Sequence, residues 1–162
     1  MLEEYDKAFA KYRKGLKTIP MPIICWDFHN IKNLELLSFD IIQKNWSKKI
    51  SFLKIVNNDK KDIIVTDKNF KIIFATKSIL AMTGYQPEEI IGKSPKIFQG
   101  VLTSEIAKDN IRKAIANKLP FKEVIVNYKK DGSLYKCEIE AIPKFDQKGE
   151  FLNYIAFERI AS

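Results

Sequence analysis

The feature that most constrains the fold is a run of three strand-like segments separated by two short turns. Residues 121–128 and 134–142 alternate in polarity, and residues 151–157 form a third run rich in apolar side chains. The intervening Lys129-Lys130-Asp131-Gly132 and Asp146-Gln147-Lys148-Gly149 have the composition of tight hairpin turns. Since alternation broken by such turns is typical of neighbouring antiparallel strands, these segments predict a three-stranded meander.

A shorter hairpin precedes this meander. The β-branched and aromatic residues at 63–66 and 70–75 predict two strands, joined by a turn at Asp67-Lys68-Asn69. Together with the meander they predict an α+β fold with a five-stranded antiparallel sheet.

Three helical segments are predicted between the hairpin and the meander. The first covers residues 77–82, and the second begins with Pro87 at its first helical position. The third covers residues 103–118, with Thr103 as its N-cap. These helices predict a flap over one face of the sheet, with a pocket between them. The predicted buried stripe of the third helix consists of Ile106, Ala107, Ile111, Ala114 and Ile115.

Residues 1–60 predict an N-terminal helical extension, and residues 61–162 predict the main domain. Apolar side chains in the extension recur at alternating spacings of three and four, the a and d positions of a heptad pattern. Such a stripe serves either to pair the helix with a second copy of the chain or to pack it on the chain's own core. The predicted dimer interface consists of Leu2, Tyr5, Phe9, Tyr12 and Leu16.

The second part of the extension has a less regular pattern. Residues 30–57 are mostly helical in their periodicity, and Ser47 is a plausible N-cap that divides them into two helices. Trp26 and Trp46 are expected to anchor this segment on the main domain, because large aromatic side chains dominate core packing. His29 has no ligand or catalytic partner near it in sequence.

Composition limits the classes of function. The net charge of +8 permits an acidic partner, but the lysines are dispersed among acidic residues, which argues against nucleic acid as the partner. Cys25 and Cys137 lack metal-ligand spacing and are expected to be reduced thiols in or near the core.

No apolar run approaches the roughly 20 residues that span a bilayer, and no apolar signal sequence is evident, so we expect a cytoplasmic location. No catalytic motif can be assembled, so an enzyme is not expected.

The order of these segments, and the residues within them, resemble the PAS domain, a sensory module, over about residues 62–159. Each matching motif is unspecific by itself, but the order and spacing of the motifs together are specific. The matching motifs are Ile64-Val65-Thr66-Asp67, Ile73-Phe74-Ala75-Thr76, the run from Thr83-Gly84-Tyr85 to Gly92-Lys93, Tyr128-Lys129-Lys130-Asp131-Gly132 and Tyr154-Ile155-Ala156-Phe157.

The run Gly92-Lys93-Ser94-Pro95-Lys96-Ile97-Phe98-Gln99-Gly100 resembles, more narrowly, the loop of the light-oxygen-voltage branch of that family. In that branch a Gly-x-Asn-Cys-Arg-Phe-Leu-Gln-Gly run binds flavin mononucleotide, and its Cys forms the light-driven adduct. Gly92, Gln99 and Gly100 match the run. Pro95 stands at the position of the reactive Cys, so the resemblance implies no adduct through this loop. Ser94 replaces the Asn.

The resemblance also implies a set of ligand-contacting positions. Lys96 replaces the Arg that holds the flavin phosphate and lacks its bidentate fork. Glu158 replaces the Gln of the last strand, and a carboxylate there disfavours the edge of the flavin that this Gln contacts. Haem is not expected, because the one His lies outside the matched segment. The implied ligand-binding residues are Gln99, Lys96, Arg112, Asn127, Cys137 and Glu158.

The resemblance therefore implies a non-catalytic sensory module that binds a small ligand or a protein partner and acts through dimerisation or on a partner in trans. Two alternatives remain at this level. One is a flavin-binding photosensor or redox sensor that works without a cysteinyl adduct, through electron transfer by aromatics such as Trp26 or Tyr85. The other is a basic nucleic-acid-binding protein, which rests on the net charge alone.

Overall fold

The computed structural model describes residues 30–161, with side chains from residue 34 onward. The chain divides into two units, Met1–Leu34 and Glu35–Ser162, and the sheet belongs to the second. The predicted dimer interface (Leu2, Tyr5, Phe9, Tyr12 and Leu16) lies outside the described residues, as do Cys25, Trp26 and His29. Within the described part, no helix has the length and apolar character needed to cross a membrane.

Five antiparallel strands form one sheet, and their order across it is β2-β1-β5-β4-β3. The predicted five-stranded antiparallel α+β fold is therefore confirmed. The last strand inserts between the first hairpin and the rest of the meander, so the sheet joins the two ends of the domain. The strands are β1 (Asp62–Thr66), β2 (Ile72–Ala75), β3 (Phe121–Tyr128), β4 (Leu134–Phe145) and β5 (Phe151–Ile160).

The three hairpin turns lie where the sequence predicts them, and each is closed by an aspartate. The carboxylate of Asp67 accepts hydrogen bonds from the backbone N–H groups of Asn69 and Lys71 at 2.8 and 2.9 Å. Asp131 and Asp146 accept equivalent bonds from residues two positions on. A short side chain that caps its own turn makes this part of the fold readable from local sequence.

Short helices connect the two parts of the sheet and form the flap. α2 covers Ile79–Thr83, α3 covers Pro87–Ile90, a 3-10 turn covers Pro95–Phe98, and α4 covers Glu105–Ala116.

Two details of α4 differ from the prediction. Its N-cap is Ser104, whose hydroxyl accepts a hydrogen bond from the Ala107 N–H at 3.4 Å. The predicted cap, Thr103, instead donates its hydroxyl to the Val126 carbonyl at 2.7 Å. Ile106 is 76% exposed and lies outside the buried stripe, because it is rotated by about 100° around the helix axis from Ala107, which faces the core.

The segment before β1 packs on the other face of the sheet. α1 covers Asn30–Ile42, a 3-10 turn covers Gln43–Asn45, and a single π-helical turn covers Lys54–Asn58. The prediction that Ser47 is an N-cap is wrong. Ser47 lies in a non-helical stretch, and its N–H donates to the Phe145 carbonyl at 2.9 Å. Trp46 is an anchor as predicted, since it is 2% exposed and its indole N–H donates to Asn153 at 2.9 Å.

Strand alternation separates two cores. On β1, Ile63 and Val65 point to the outer face, which α1 covers, while Ile64 points to the inner face under the flap. β5 continues the same division, with Ile155 and Phe157 on the outer face. The predicted arrangement of a sheet with a helical flap over one face is thus present, and the opposite face is closed by the segment around α1.

Candidate ligand-binding site

A cavity of about 490 Å³ lies between the inner face of the sheet and the flap. This volume is within the range of small-molecule sites in proteins. Most of the wall surface is apolar, and polar side chains contribute the smaller part of it. Representative wall residues are Ile64, Phe98, Ile111, Ile125, Ile139 and Ala156.

A diagonal line of polar side chains crosses the sheet beneath this cavity. Cys137 on β4 is directly opposite Ile160 on β5 and Ile125 on β3. Glu158 and Asn127 are each two residues from those partners, which makes both of them diagonal neighbours of Cys137 on opposite sides. The sheet register therefore brings together three of the predicted ligand residues.

Glu158 is the most unusual member of this line. It is 4% exposed, and its Oε2 lies 3.6 Å from the Cys137 thiol, which donates to it. Burial raises the pKa of the Glu158 carboxyl to about 7, and the nearby Asp62 carboxylate acts in the same direction, whereas the hydrogen bond from Cys137 opposes them. No cation pairs with this carboxylate among residues 34–161.

Cys137 is fully buried and does not line the cavity. Its thiol donates to the carboxylate of Glu158, which does line it. Burial, strengthened by the Glu158 carboxylate, raises the pKa of its thiol. Burial likewise raises the pKa of the neighbouring Tyr135 phenol. The thiol therefore stays protonated and acts as a hydrogen-bond donor, which makes it a poor nucleophile.

Asn127 lines the cavity and is 2% exposed. Its Nδ2 donates to the Tyr135 hydroxyl at 3.4 Å, but its Oδ1 has no hydrogen-bond partner in the described part of the chain. Thr66, at the other end of the cavity floor, also has a buried hydroxyl without a partner there. Buried polar atoms are nearly always satisfied in native proteins, so these two are candidates to meet a bound molecule.

Four cationic side chains line the cavity, and they differ in what they already bind. Arg112 contacts the carboxylates of Asp109 and Glu105, the latter at 3.5 Å, and Lys108 contacts Glu105 at 2.5 Å. Lys96 and Lys71 have no ion-pair partner among the described residues.

Of the predicted pair of cations, Lys96 is therefore available to an anion while Arg112 is engaged on its own helix. Lys71 was not predicted as a site residue. The backbone of the next residue, Ile72, exchanges hydrogen bonds with Gly92 and Lys93, at 2.7 and 2.9 Å. That pairing places Lys71 beside the loop that carries Lys96, a long-range contact that local sequence does not reveal.

The loop Gly92–Gly100 lies at the edge of the cavity as a turn and a short 3-10 segment. Gly92 has φ +80°, a left-handed conformation that glycine adopts without strain. Ser94 caps the 3-10 turn, and Pro95 begins it. Gln99 follows the turn, is half-buried and lines the cavity. Ser94, Pro95 and Lys96 line the cavity as well.

The end of this loop is held against β3. A Cβ atom on Gly100 would lie 2.4 Å from the ring of Tyr128, so only glycine allows this approach. The Tyr128 hydroxyl accepts a hydrogen bond from the Leu102 N–H at 3.0 Å. The Thr103 hydroxyl accepts one from the Gly100 N–H at 3.0 Å and donates to Val126. Gly100, which matches the light-oxygen-voltage loop, is thus required by the packing of the loop against Tyr128.

The far side of the flap is also attached to the sheet. The Tyr154 hydroxyl on β5 donates to the Leu119 carbonyl, just beyond the C-terminal end of α4, at 3.0 Å. Tyr154 lines the cavity. The flap is therefore connected to β3 at one end and to β5 at the other, with the cavity between the two attachments.

Comparison with known families gives one match to most of the domain. The sequence profile described as the PAS domain matches residues 61–159.

Several curated proteins share this segment. The bacterioopsin transcriptional activator of Halobacterium salinarum is 31% identical over 93 residues, which cover 57% of this chain and 14% of that protein. Protein TWIN LOV 1 of Arabidopsis thaliana is 35% identical over 88 residues, covering 54% and 22%. A blue-light-activated histidine kinase of Rhizobium johnstonii is 34% identical over 95 residues, covering 57% and 28%. The match thus spans less than a third of each of these relatives.

Solved structures share the fold at greater coverage. A light-oxygen-voltage domain studied with a flavin analogue is 25% identical, with a TM-score of 0.65 over 70% of this chain and 87% of that one. The light-state structure of the Aureochrome1 LOV domain is 27% identical, with a TM-score of 0.62 over 69% and 90%.

Proposed function

Because the chain belongs to the PAS domain family, we propose that it is a non-catalytic sensory module whose cavity binds a small molecule and reports that binding to a protein partner or a second copy. The observation that carries this proposal is the cavity itself, an apolar space with buried polar atoms that lack partners within the described chain. Several relatives are named as parts of signalling proteins, among them a transcriptional activator and a histidine kinase.

A route from the cavity to a partner follows from how the flap is attached. The flap residues contact the ligand space, and they are joined to β3 and β5 through Tyr128, Thr103 and Tyr154. β5 also supplies Ile155 and Phe157 to the outer face, where α1 packs. A ligand that moves the flap or β5 would therefore change the surface next to α1.

Self-association remains a prediction, and α1 offers it some support. Phe39 on this helix is buried, but Leu37 and Ile41 are 58% and 74% exposed on its other side. Apolar side chains four positions apart form a stripe that suits a second helix. We propose that this stripe extends the predicted N-terminal interface.

Flavin is the second candidate ligand, favoured by the similarity to a light-oxygen-voltage domain studied with a flavin analogue and to a blue-light-activated histidine kinase. The residues present fit it poorly. Pro95 offers no thiol for an adduct, and a buried carboxylate at Glu158 faces the cavity where an amide would satisfy flavin oxygens. Cys137 stands where the resemblance to the light-oxygen-voltage branch places a second ring-contacting Asn, and it supplies a thiol instead of an amide.

The absorption spectrum and the native mass spectrum of the freshly purified protein test the proposal. We expect a non-covalent small molecule on the chain and none of the visible absorption that a bound flavin would give. If the protein is yellow and releases flavin mononucleotide, flavin becomes the favoured ligand and the non-flavin ligand is ruled out. A chain that carries no small molecule and takes none up would contradict both.

A further inference from the structure

We propose that the cavity selects a ligand with hydrogen-bond donors on its buried edge and an anionic group at its outer end, with Glu158 as the residue that recognises the donor edge. This inference rests on the proposed function and names the chemical class of its ligand. Four features of the cavity carry it: the Glu158 oxygen that has no donor in the described part of the chain, the adaptable amide of Asn127, the small side chains of the floor, and the cations at the rim.

The Glu158 carboxylate has one oxygen in use and one available. Oε2 accepts the Cys137 thiol, while Oε1 has no donor among residues 34–161. Because Glu158 lines the cavity, a molecule bound there can supply a donor to this oxygen in place of water. At pH values above its pKa of about 7 the Glu158 carboxylate is ionised, so it accepts hydrogen bonds and cannot donate them, and the group opposite must be an N–H or O–H.

Asn127 extends the polar edge without fixing its direction. Its amide is bound to Tyr135 at one end, and the other end has no partner within the described chain. An amide carries both a carbonyl and an NH₂ group, so it can serve either a donor or an acceptor on the ligand. The direction of the hydrogen bonds along the buried edge is therefore set by Glu158.

The floor between these groups suits a flat ligand body. Ile64, Ala156 and Ala141 are directly opposite one another on β1, β5 and β4, and all three line the cavity. Two alanines on neighbouring central strands leave a shallow, smooth area above the sheet. A planar ring system with donors along one edge would lie on it with its apolar faces in contact with these side chains.

The opposite end of the cavity is cationic and open to solvent. Lys71 and Lys96 are exposed, line the cavity and have no carboxylate partner in the described residues. They are carried by two chain segments that are hydrogen-bonded to each other. A phosphate or carboxylate on the outer end of the ligand would meet both ammonium groups.

The class excludes ligands whose buried edge consists of acceptors. A carbonyl oxygen or an unprotonated ring nitrogen opposite Glu158 would bring two acceptors together in a buried site, which leaves both unsatisfied. The flavin pyrimidine edge contains such groups, whereas a guanine edge presents an N–H and an NH₂ side by side. The two edges are therefore suitable probes of the inference.

The test measures the affinity of the whole protein for three probes at pH 7.5 by isothermal titration calorimetry: guanosine monophosphate, inosine monophosphate and flavin mononucleotide. The first two differ only in the exocyclic NH₂ group, and all three carry a phosphate. We expect guanosine monophosphate to bind about tenfold or more tightly than inosine monophosphate, the effect of one charge-assisted hydrogen bond.

Three variants separate the contributions. Glu158→Gln is expected to bring the ratio of guanosine to inosine monophosphate affinity close to one and to increase the affinity for flavin mononucleotide. Lys96→Gln is expected to weaken all three probes by a similar factor and to preserve the ratio. Glu150→Gln makes the same charge change at an exposed turn position and is expected to leave every affinity unchanged.

The outcomes distinguish the inference from the proposed function beneath it. Equal affinities for the two purine nucleotides in the wild type, or tighter binding of flavin mononucleotide, would overturn the inference while leaving the cavity as a binding site. Failure of the wild type to bind any of the three probes would also overturn the inference, whereas the proposed function is contradicted only if the native mass spectrum shows no bound small molecule either.

Discussion

The two faces of the sheet are built for different tasks. On the outer face, Phe39, Phe52 and Phe74 lie with their ring centres 5.3 to 6.2 Å apart, and Trp46 packs edge-on against Phe39 at 5.8 Å. All four are buried. Dense aromatic packing of this kind contributes much of the stability of a small domain and leaves no room for a ligand.

The inner face has the opposite character. It retains an open volume, and it buries a carboxyl and an amide that would be costly without partners. Its flap is attached through a few hydrogen bonds, among them those of Tyr128 and Tyr154. We infer that packing on the aromatic face stabilises the domain enough to offset the cost of the cavity and the buried polar groups on the inner face.

The largest expected effect is on the aromatic face. Phe39→Ala removes a fully buried ring that contacts three other aromatic side chains, and we expect it to lower the free energy of unfolding by about 3–5 kcal/mol. Urea denaturation measures this change. Leu37→Ala on the exposed side of the same helix is the control and should change stability by less than about 0.5 kcal/mol. Similar values for the two variants would show that the outer face does not supply the stability.

The next effect concerns the buried carboxyl of the inner face. The folded-state pKa of Glu158, about 7, is above its ordinary value of 4.5, so the folded protein binds a proton more tightly than the unfolded chain does. Stability is therefore expected to fall as pH rises from about 4.5 to about 7 and then to level off. The groups facing this carboxyl are Cys137 and Asp62, and neither supplies a positive charge.

Glu158→Gln removes this dependence. At pH 8 we expect the variant to be more stable than the wild type by up to roughly 3 kcal/mol, and at pH 4.5 we expect the two to be nearly equal. Denaturation curves at both pH values measure the difference. If the difference in stability between the wild type and the variant does not change with pH, the pKa of Glu158 is not raised in the folded state.

A smaller effect is expected where the flap meets β3. Gly100→Ala places a methyl group 2.4 Å from the Tyr128 ring, and we expect a loss of about 1–3 kcal/mol as the ring or the loop moves. Thermal unfolding measures the loss. In a Tyr128→Leu background the same substitution should cost clearly less. An unchanged cost in that background would place the strain elsewhere than in the contact between flap and strand.

The smallest effect on the fold is expected at the exposed stripe of α1. Leu37→Glu should leave unfolding nearly unchanged, because the side chain is largely in solvent. It should weaken the predicted dimer, since it introduces a charge into an apolar contact. Light scattering over a range of micromolar concentrations tests both points. A monomeric wild type would contradict the predicted self-association.

Features that depend on neighbouring residues were predictable from sequence. The hairpin turns contain an aspartate and, in two cases, a glycine that closes them locally. Strand polarity and Pro87 at a helix start are equally local signals. The family resemblance then supplied the polar positions of the cavity, which the sheet register brings together.

Features that depend on long-range partners were not predictable. Thr103 and Ser104 are both residue types that cap helices, and Ser104 is the N-cap here because the Thr103 hydroxyl donates to the Val126 carbonyl of β3. Arg112 lines the cavity and pairs with acidic residues of its own helix, so its contact with a ligand stays a prediction. Lys71 enters the site through pairing of β2 with the loop that follows α3.

The central claim is that the inner face holds a ligand, and one comparison tests it most directly. Ala156→Leu adds volume to the floor of the cavity on a central strand without adding charge. In native mass spectra recorded under identical conditions, we expect the wild type to carry a small molecule and the folded variant to carry none. The same bound mass on both proteins, or no bound mass on the wild type, would contradict the account.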